Sequence, residues 1–129
     1  MTAMRTYGLH LMIDGYEADP ARLDDAGLLF ETLNNLPEMI GMRKLSTPIL
    51  ARVTEKGGEG ISGIIMIYES HISIHTYPKK GFFSMDVYSC NSFDTGRVVE
   101  EMRVRYAFKD AEVQTVDRAK RFPIGDLHP

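Results

Sequence analysis

Apolar and polar positions along this 129-residue chain follow two rhythms, and the switches between them divide it into elements. Leu9 to Tyr16 is a first apolar stretch and reads as a strand. Asp19-Pro20 has the form of a helix start, with aspartate as N-cap and proline at the first helical position. Ala26, Leu29, Phe30 and Leu33 follow at i, i+3, i+4 and i+7, so this helix is amphipathic. Pro37 ends it or begins a short extra turn, and Ser46 to Thr54 reads as a strand weakened at its start by Pro48.

Glu55 to Gly60 carries three glycines in six residues and reads as a turn. Ile61 to Tyr68, rich in β-branched residues, reads as a buried strand. From His71 to Tyr77 the pattern alternates, with His71, Ser73 and His75 on one face and Ile72 and Ile74 on the other. Pro78 to Gly81 is a second turn, and Phe82 to Cys90 alternates again as a strand. Asp94 is placed to cap a helix with Val99, Met102 and Tyr106 on one stripe. Ala111 to Val116 is a last strand, followed by a loose tail after Pro123.

The condensed order, β-α-β-β-β-α-β, sets three strands in succession between two helices. It predicts an α+β fold, a two-layer sandwich whose antiparallel sheet carries its helices on one face. The other face must be polar or meet a partner, so a homodimer is expected.

Composition and charge limit the functions available. At 43% apolar and 26% charged residues, the chain is an ordinary globular sequence of one domain, residues 1–129. Eighteen acids against fifteen bases give a net charge of -3, which argues against a nucleic-acid partner. No apolar run is long enough for a membrane span. Met1 to Tyr7 lacks the basic and apolar regions of a secretory signal, so the expected location is the cytoplasm. Cys90 is the only cysteine, which fits a reducing compartment, and with four scattered histidines no metal site is expected. The expected partners are a small-molecule substrate and a second copy of the chain.

Chemistry concentrates between Gly60 and Cys90. Ser70 lies beside His71, which can activate a hydroxyl as a nucleophile. No G-x-S-x-G elbow is present and no carboxylate is placed to orient a histidine, so a hydrolase triad is poorly supported. Taken singly, each residue has a plain reading. A lone strand cysteine is a small buried hydrophobe, Ser70 a turn residue, and His71 and His75 half-buried strand histidines. Met4, Met39, Met42 and Met66 read as filler, His71 as structural or orienting, and His10 and His128 have no assigned role. Their spacing lifts Ser70, His75 and Cys90 together: a histidine five residues after the serine and a cysteine twenty after it.

Three blocks carry a resemblance: Gly60-Ile61-Ser62-Gly63, Glu69-Ser70-His71-Ile72-Ser73-Ile74-His75-Thr76-Tyr77-Pro78, and Asp86-Val87-Tyr88-Ser89-Cys90. In residues and spacing they resemble the prokaryotic S-adenosylmethionine decarboxylase family, and Gly8-Leu9-His10 and Asp19-Pro20 extend the likeness more weakly. The resemblance implies self-cleavage between Glu69 and Ser70 into chains 1–69 and 70–129. The Ser70 hydroxyl would attack the Glu69 carbonyl, β-elimination would break the resulting ester, and residue 70 would become a pyruvoyl group with loss of ammonia. It further implies that His75 transfers a proton during processing and that Ser62 assists. The pyruvoyl group would form a Schiff base with the substrate and act as electron sink. Cys90 would return the proton, a task suited to a thiol with a reference pKa of about 8.5.

Two positions depart from the family pattern. Where an aromatic residue stacks on adenine, this chain has Lys56. Where a glutamate accepts from the ribose hydroxyls, it has Lys79, and an ammonium has no acceptor. Tyr68 and Phe82, and with them Phe83, are candidate replacements for the aromatic. S-adenosylmethionine is the first substrate expected. L-Ornithine or L-arginine, used by some relatives, is the alternative, and a non-catalytic regulatory relative is the third reading.

Overall fold

A computed structural model describes residues 8–122. The readings made for Met1 to Tyr7, Met4, His128 and the tail after Pro123 fall outside them. Strand β1 is Gly8–Tyr16, followed by helices α1 (Pro20–Leu23) and α2 (Ala26–Met39). Strands β2 (Arg43–Lys44), β3 (Ile49–Val53), β4 (Gly60–Tyr68) and β5 (Ser70–Tyr77) come next. A single 3-10 turn, Pro78–Lys80, leads into β6 (Phe82–Ser89), then α3 (Thr95–Tyr106) and β7 (Asp110–Arg118).

The strands form one sheet in the order β2-β4-β5-β6-β1-β7, with β3 also paired to β4, and every pairing is antiparallel. Strand alternation sorts the side chains. Leu11, Ile13, Ile65, Ile67, Ile72, Ile74, Phe83, Met85 and Val87 face inward and are buried. Helix α2 covers them with Leu29, Leu33 and Leu36, and α3 with Val98, Met102 and Tyr106. Each such side chain contributes roughly 1.5–3 kcal/mol when fully buried. Both helices therefore lie on one face, and the α+β sandwich expected from the sequence is the fold observed.

Both glycines of the Gly60–Gly63 block have a packing reason. A Cβ at Gly60 would lie 1.8 Å from the Thr76 carbonyl oxygen, and one at Gly63 would lie 2.7 Å from a Leu33 methyl. Glycine lets β4 pass close under β5 at one position and lets α2 settle onto the sheet at the other.

Four expectations need correcting. The condensed strand order undercounts: β2 to β6 place five strands between α2 and α3. Ser46 to Thr54 shortens to β3, because Pro48 has no N–H to donate, and Ser46 instead accepts the Met66 N–H through its Oγ at 3.0 Å. The first helix is two helices. Asp19 caps α1 as expected, accepting from Ala21 N–H at 2.9 Å, but Asp25 takes an extended backbone and caps α2 afresh through Leu28 N–H at 3.0 Å. On α3, Asp94 is the cap, accepting from Arg97 N–H at 3.0 Å. The buried stripe begins at Val98 rather than Val99, which is only partly covered.

Candidate active site

The hydroxyl singled out in the sequence sits at the tip of the tightest hairpin in the sheet. Ile67 pairs with Ser70, which leaves Tyr68 and Glu69 as a two-residue turn. At Ser70 the backbone φ is +114°, a value that side chains of L-residues rarely adopt. Holding serine there costs about 1–3 kcal/mol, offset by the ladders on either side. The strain lies at the residue whose amide would be broken.

Neighbouring β6 supplies the next two features. Ser70 pairs with Ser89, and the Cys90 N–H donates to the Glu69 carbonyl at 3.4 Å. A donor on that oxygen favours the negative charge that develops when the carbonyl is attacked. Cys90 is free and 7% exposed, immediately beyond the end of β6. Ser89 is fully buried; its Oγ donates to Met42 Sδ at 3.4 Å and accepts the Asn91 N–H at 3.1 Å, which fixes the segment carrying the thiol.

A second group forms at the other end of β5. Ser62 and His75 are directly opposed on β4 and β5, and His75 Nδ1 is hydrogen-bonded to Ser62 Oγ at 2.8 Å. They line an open groove of about 350 Å³ with Ile49, Ala51, Gly63, Ile64 and Ser73. This groove opens on the sheet face that the helices leave uncovered.

Glu69, Ser70 and Cys90 are brought together by the fold, and so are Ser62 and His75. The two groups do not meet within one protomer. Five residues of strand separate Ser70 from His75, roughly 17 Å at about 3.3–3.4 Å per residue.

The candidate substrate aromatics divide in the same way. Tyr68 is half exposed at the hairpin tip, with the Arg43 guanidinium 4.6 Å over its ring. Phe82 lies at the other end, near Tyr77 at 5.5 Å and Tyr16 at 5.3 Å. Phe83 is withdrawn from the candidates, because it is fully buried against Tyr106 and Phe108. Lys56 lies exposed in the β3–β4 turn. Lys79 turns onto Glu59, Nζ to Oε2 3.3 Å, and Lys80 donates to the Gly57 carbonyl at 3.2 Å. The two lysines after Pro78 therefore have partners at the end of the sheet.

Sequence reasoning left His10 without a role, yet His10 Nε2 is 2.8 Å from Asp86 Oδ1. Asp86, Tyr88 and Arg118 join it around His71. Burial pushes the His71 pKa below its ordinary value; nearby His10 and Arg118 lower it further, and Asp86 opposes them. The only sequence signal for this cluster was the outward parity of His10 on its strand.

A profile of the family described as S-adenosylmethionine decarboxylase matches residues 9–119. The S-adenosylmethionine decarboxylase proenzyme of Clostridium botulinum (strain Loch Maree / Type A3) is 33% identical over 119 residues, covering 91% of this chain and 98% of the relative. The proenzyme of the same description from Parasynechococcus marenigrum (strain WH8102) is 36% identical over 83 residues, 64% of this chain and 62% of the relative. Among solved structures, the adenosylmethionine decarboxylase from Aquifex aeolicus VF5 superposes with a TM-score of 0.76 at 27% identity, covering 89% of this chain and 92% of that one.

Proposed function

The chain belongs to the S-adenosylmethionine decarboxylase family of carboxy-lyases, and from that premise we propose that it is a proenzyme that cuts itself between Glu69 and Ser70 and then decarboxylates a small amino-acid substrate. The observation that carries this reading is the hairpin tip: a serine in a strained conformation, with the preceding carbonyl already held by the Cys90 N–H. In processing, Ser70 Oγ attacks the Glu69 carbonyl carbon, the C–N bond breaks, and an ester replaces the amide. Removal of the residue-70 α-proton then expels the Glu69 carboxylate, and water releases ammonia from the new terminus. His75 takes the α-proton. Its Nδ1 is engaged by Ser62, which leaves Nε2 for proton transfer. Residue 70, the only position among the described residues that joins a hydroxyl to a strained junction, fits the pyruvoyl precursor. Once formed, the pyruvoyl group supplies an electron sink for the carbanion left by carbon dioxide. Cys90 then delivers a proton to the substrate carbon.

His75 and Ser70 lie too far apart to act within one protomer, so the reading includes a homodimer. The uncovered sheet face exposes Ile49, Ile64, Met66, Tyr68 and Val116, a patch suited to a partner. A second copy stacked sheet to sheet, about 10 Å away, brings His75 of the partner subunit to the first subunit's hairpin tip. Co-expression tests this. Ser70→Ala and His75→Ala chains, differently tagged, each stay intact alone. Together, the His75→Ala chain is cut, because its partner supplies the missing imidazole. Cutting of His75→Ala alone, or no rescue on mixing, sinks the shared site.

S-adenosylmethionine is the first substrate, on the names of the relatives. A second reading, L-ornithine or L-arginine, is favoured by two observations. Among the described residues, the groove beside His75 is lined by no phenylalanine, tyrosine or tryptophan, and the ribose-side position holds Lys79, already paired with Glu59. Carbon dioxide release from the three compounds, measured side by side on the cut protein, decides between them. Faster turnover of S-adenosylmethionine upholds the first reading, and faster turnover of either basic amino acid replaces it with the second.

A further inference from the structure

His71 follows directly after the proposed break, and the mechanism gives it no task. While the chain is whole, residue 70 is held covalently from both sides. After cleavage it has no neighbour on its amino side, and His71 becomes the first residue with an ordinary side chain. A strand end with nothing before it frays by default. A reacting group displaced by about 1 Å can cost about 10²-fold in rate. Something must therefore hold the new terminus in register.

The residues around His71 are arranged to do so. On the uncovered face, His10 of β1, Tyr88 of β6 and His71 of β5 stand in one row across the sheet. The Tyr88 ring meets His71 edge-on, centroids 6.0 Å apart, and lies 5.8 Å from His10 on its other side. Above Tyr88 lies the Arg118 guanidinium from the end of β7, 4.4 Å from the ring centroid. Such a cation is attracted by the negative face of the ring, more strongly as water is excluded. Asp86 fixes His10 by the 2.8 Å hydrogen bond. Residues of three strands, β1, β6 and β7, thus brace the Tyr88 ring that contacts the second residue of the new chain.

Resting on the proposed self-cleavage, we infer that His71 is a positioning residue: Tyr88, braced by Arg118 and by the His10–Asp86 pair, clamps it and so holds the residue-70 carbonyl in place after the cut.

The test compares His71→Ala and His71→Phe with the wild type. Both variants cut into two chains, since the intact precursor does not need the clamp. In His71→Ala, kcat falls roughly 10- to 100-fold while KM changes little, and His71→Phe recovers most of the loss by restoring the edge contact. Amide hydrogen exchange at residues 71 and 72 accelerates in cut His71→Ala. In the uncut Ser70→Ala background the same substitution leaves it unchanged, a contrast that a merely structural role does not produce. Undiminished kcat in cut His71→Ala overturns the clamp alone, and so does an equal loss in His71→Phe. A wild-type chain that never cuts overturns the self-cleavage reading, and the clamp with it.

Discussion

Ser70→Ala is expected to remain a single polypeptide indefinitely and to release no measurable carbon dioxide from any of the three candidate substrates. An unactivated amide is a poor electrophile, and strain with one oxyanion donor lowers the barrier only if a nucleophile is adjacent. Alanine keeps the backbone at position 70 and the Cys90 N–H on the Glu69 carbonyl, but removes the attacking oxygen. Without the cut there is no ketone, and decarboxylation loses its electron sink. Enzymes accelerate such reactions by at least about 10⁶-fold, so the loss exceeds any change from altered binding. Alanine bears the same backbone strain as serine at this φ, so removing one half-buried hydroxyl alters stability by about 1 kcal/mol or less. The variant therefore melts with the uncut precursor, and an inactive result cannot be put down to misfolding. Intact mass after long incubation at neutral pH is the measurement. Two fragments from Ser70→Ala would move the cleavage chemistry to another residue.

Cys90→Ala is expected to do the opposite: cut at a near-normal rate, then decarboxylate about 10² to 10⁴-fold more slowly. The two effects separate because Cys90 contributes through two different atoms. Its backbone N–H, 3.4 Å from the Glu69 carbonyl oxygen, would serve the proposed processing and survives substitution. Its thiol, on a residue 7% exposed, would serve the proposed proton delivery and is lost. Fragment masses and carbon dioxide release, taken on the same sample, read the two steps independently. A Cys90→Ala chain that stays whole would assign the thiol to processing. One that cuts and decarboxylates at the wild-type rate would remove it from the chemistry.

Much of this arrangement was legible before any coordinates, because local rules governed it. The alternation in His71 to Tyr77 placed His75 on the uncovered face, and Asp19 and Asp94 cap the helices they were expected to cap. The second cap at Asp25 was missed because apolar spacing runs through the Asp24-Asp25 pair without interruption. Phe83 was misjudged although its parity with Met85 and Val87, both inward, already placed it in the core. Contacts that depend on register between distant strands left no local trace. His10 and Asp86 are 76 residues apart, and the Cys90 N–H reaches Glu69 only because β5 and β6 pair as they do. The split of the candidate groups between the two ends of β5 was hidden for a different reason. A motif gives spacing along the chain, and strand geometry turns that spacing into distance.

The strand order has one more consequence. Residues 1–69 supply β1 to β4 and residues 70–129 supply β5 to β7, yet in space β1 lies between β6 and β7. The two products of the proposed cut would therefore be woven through each other, and neither could leave without tearing three ladders: β4–β5, β6–β1 and β1–β7. While folded, the pair behaves as one body. Once melted, the pieces diffuse apart, and reassembly becomes a meeting of two molecules rather than the closing of one, slower at every dilution. The proposed cut would thus make the architecture a one-way weave: the uncut chain can refold by itself, whereas the cut pair would persist only for as long as it did not unfold.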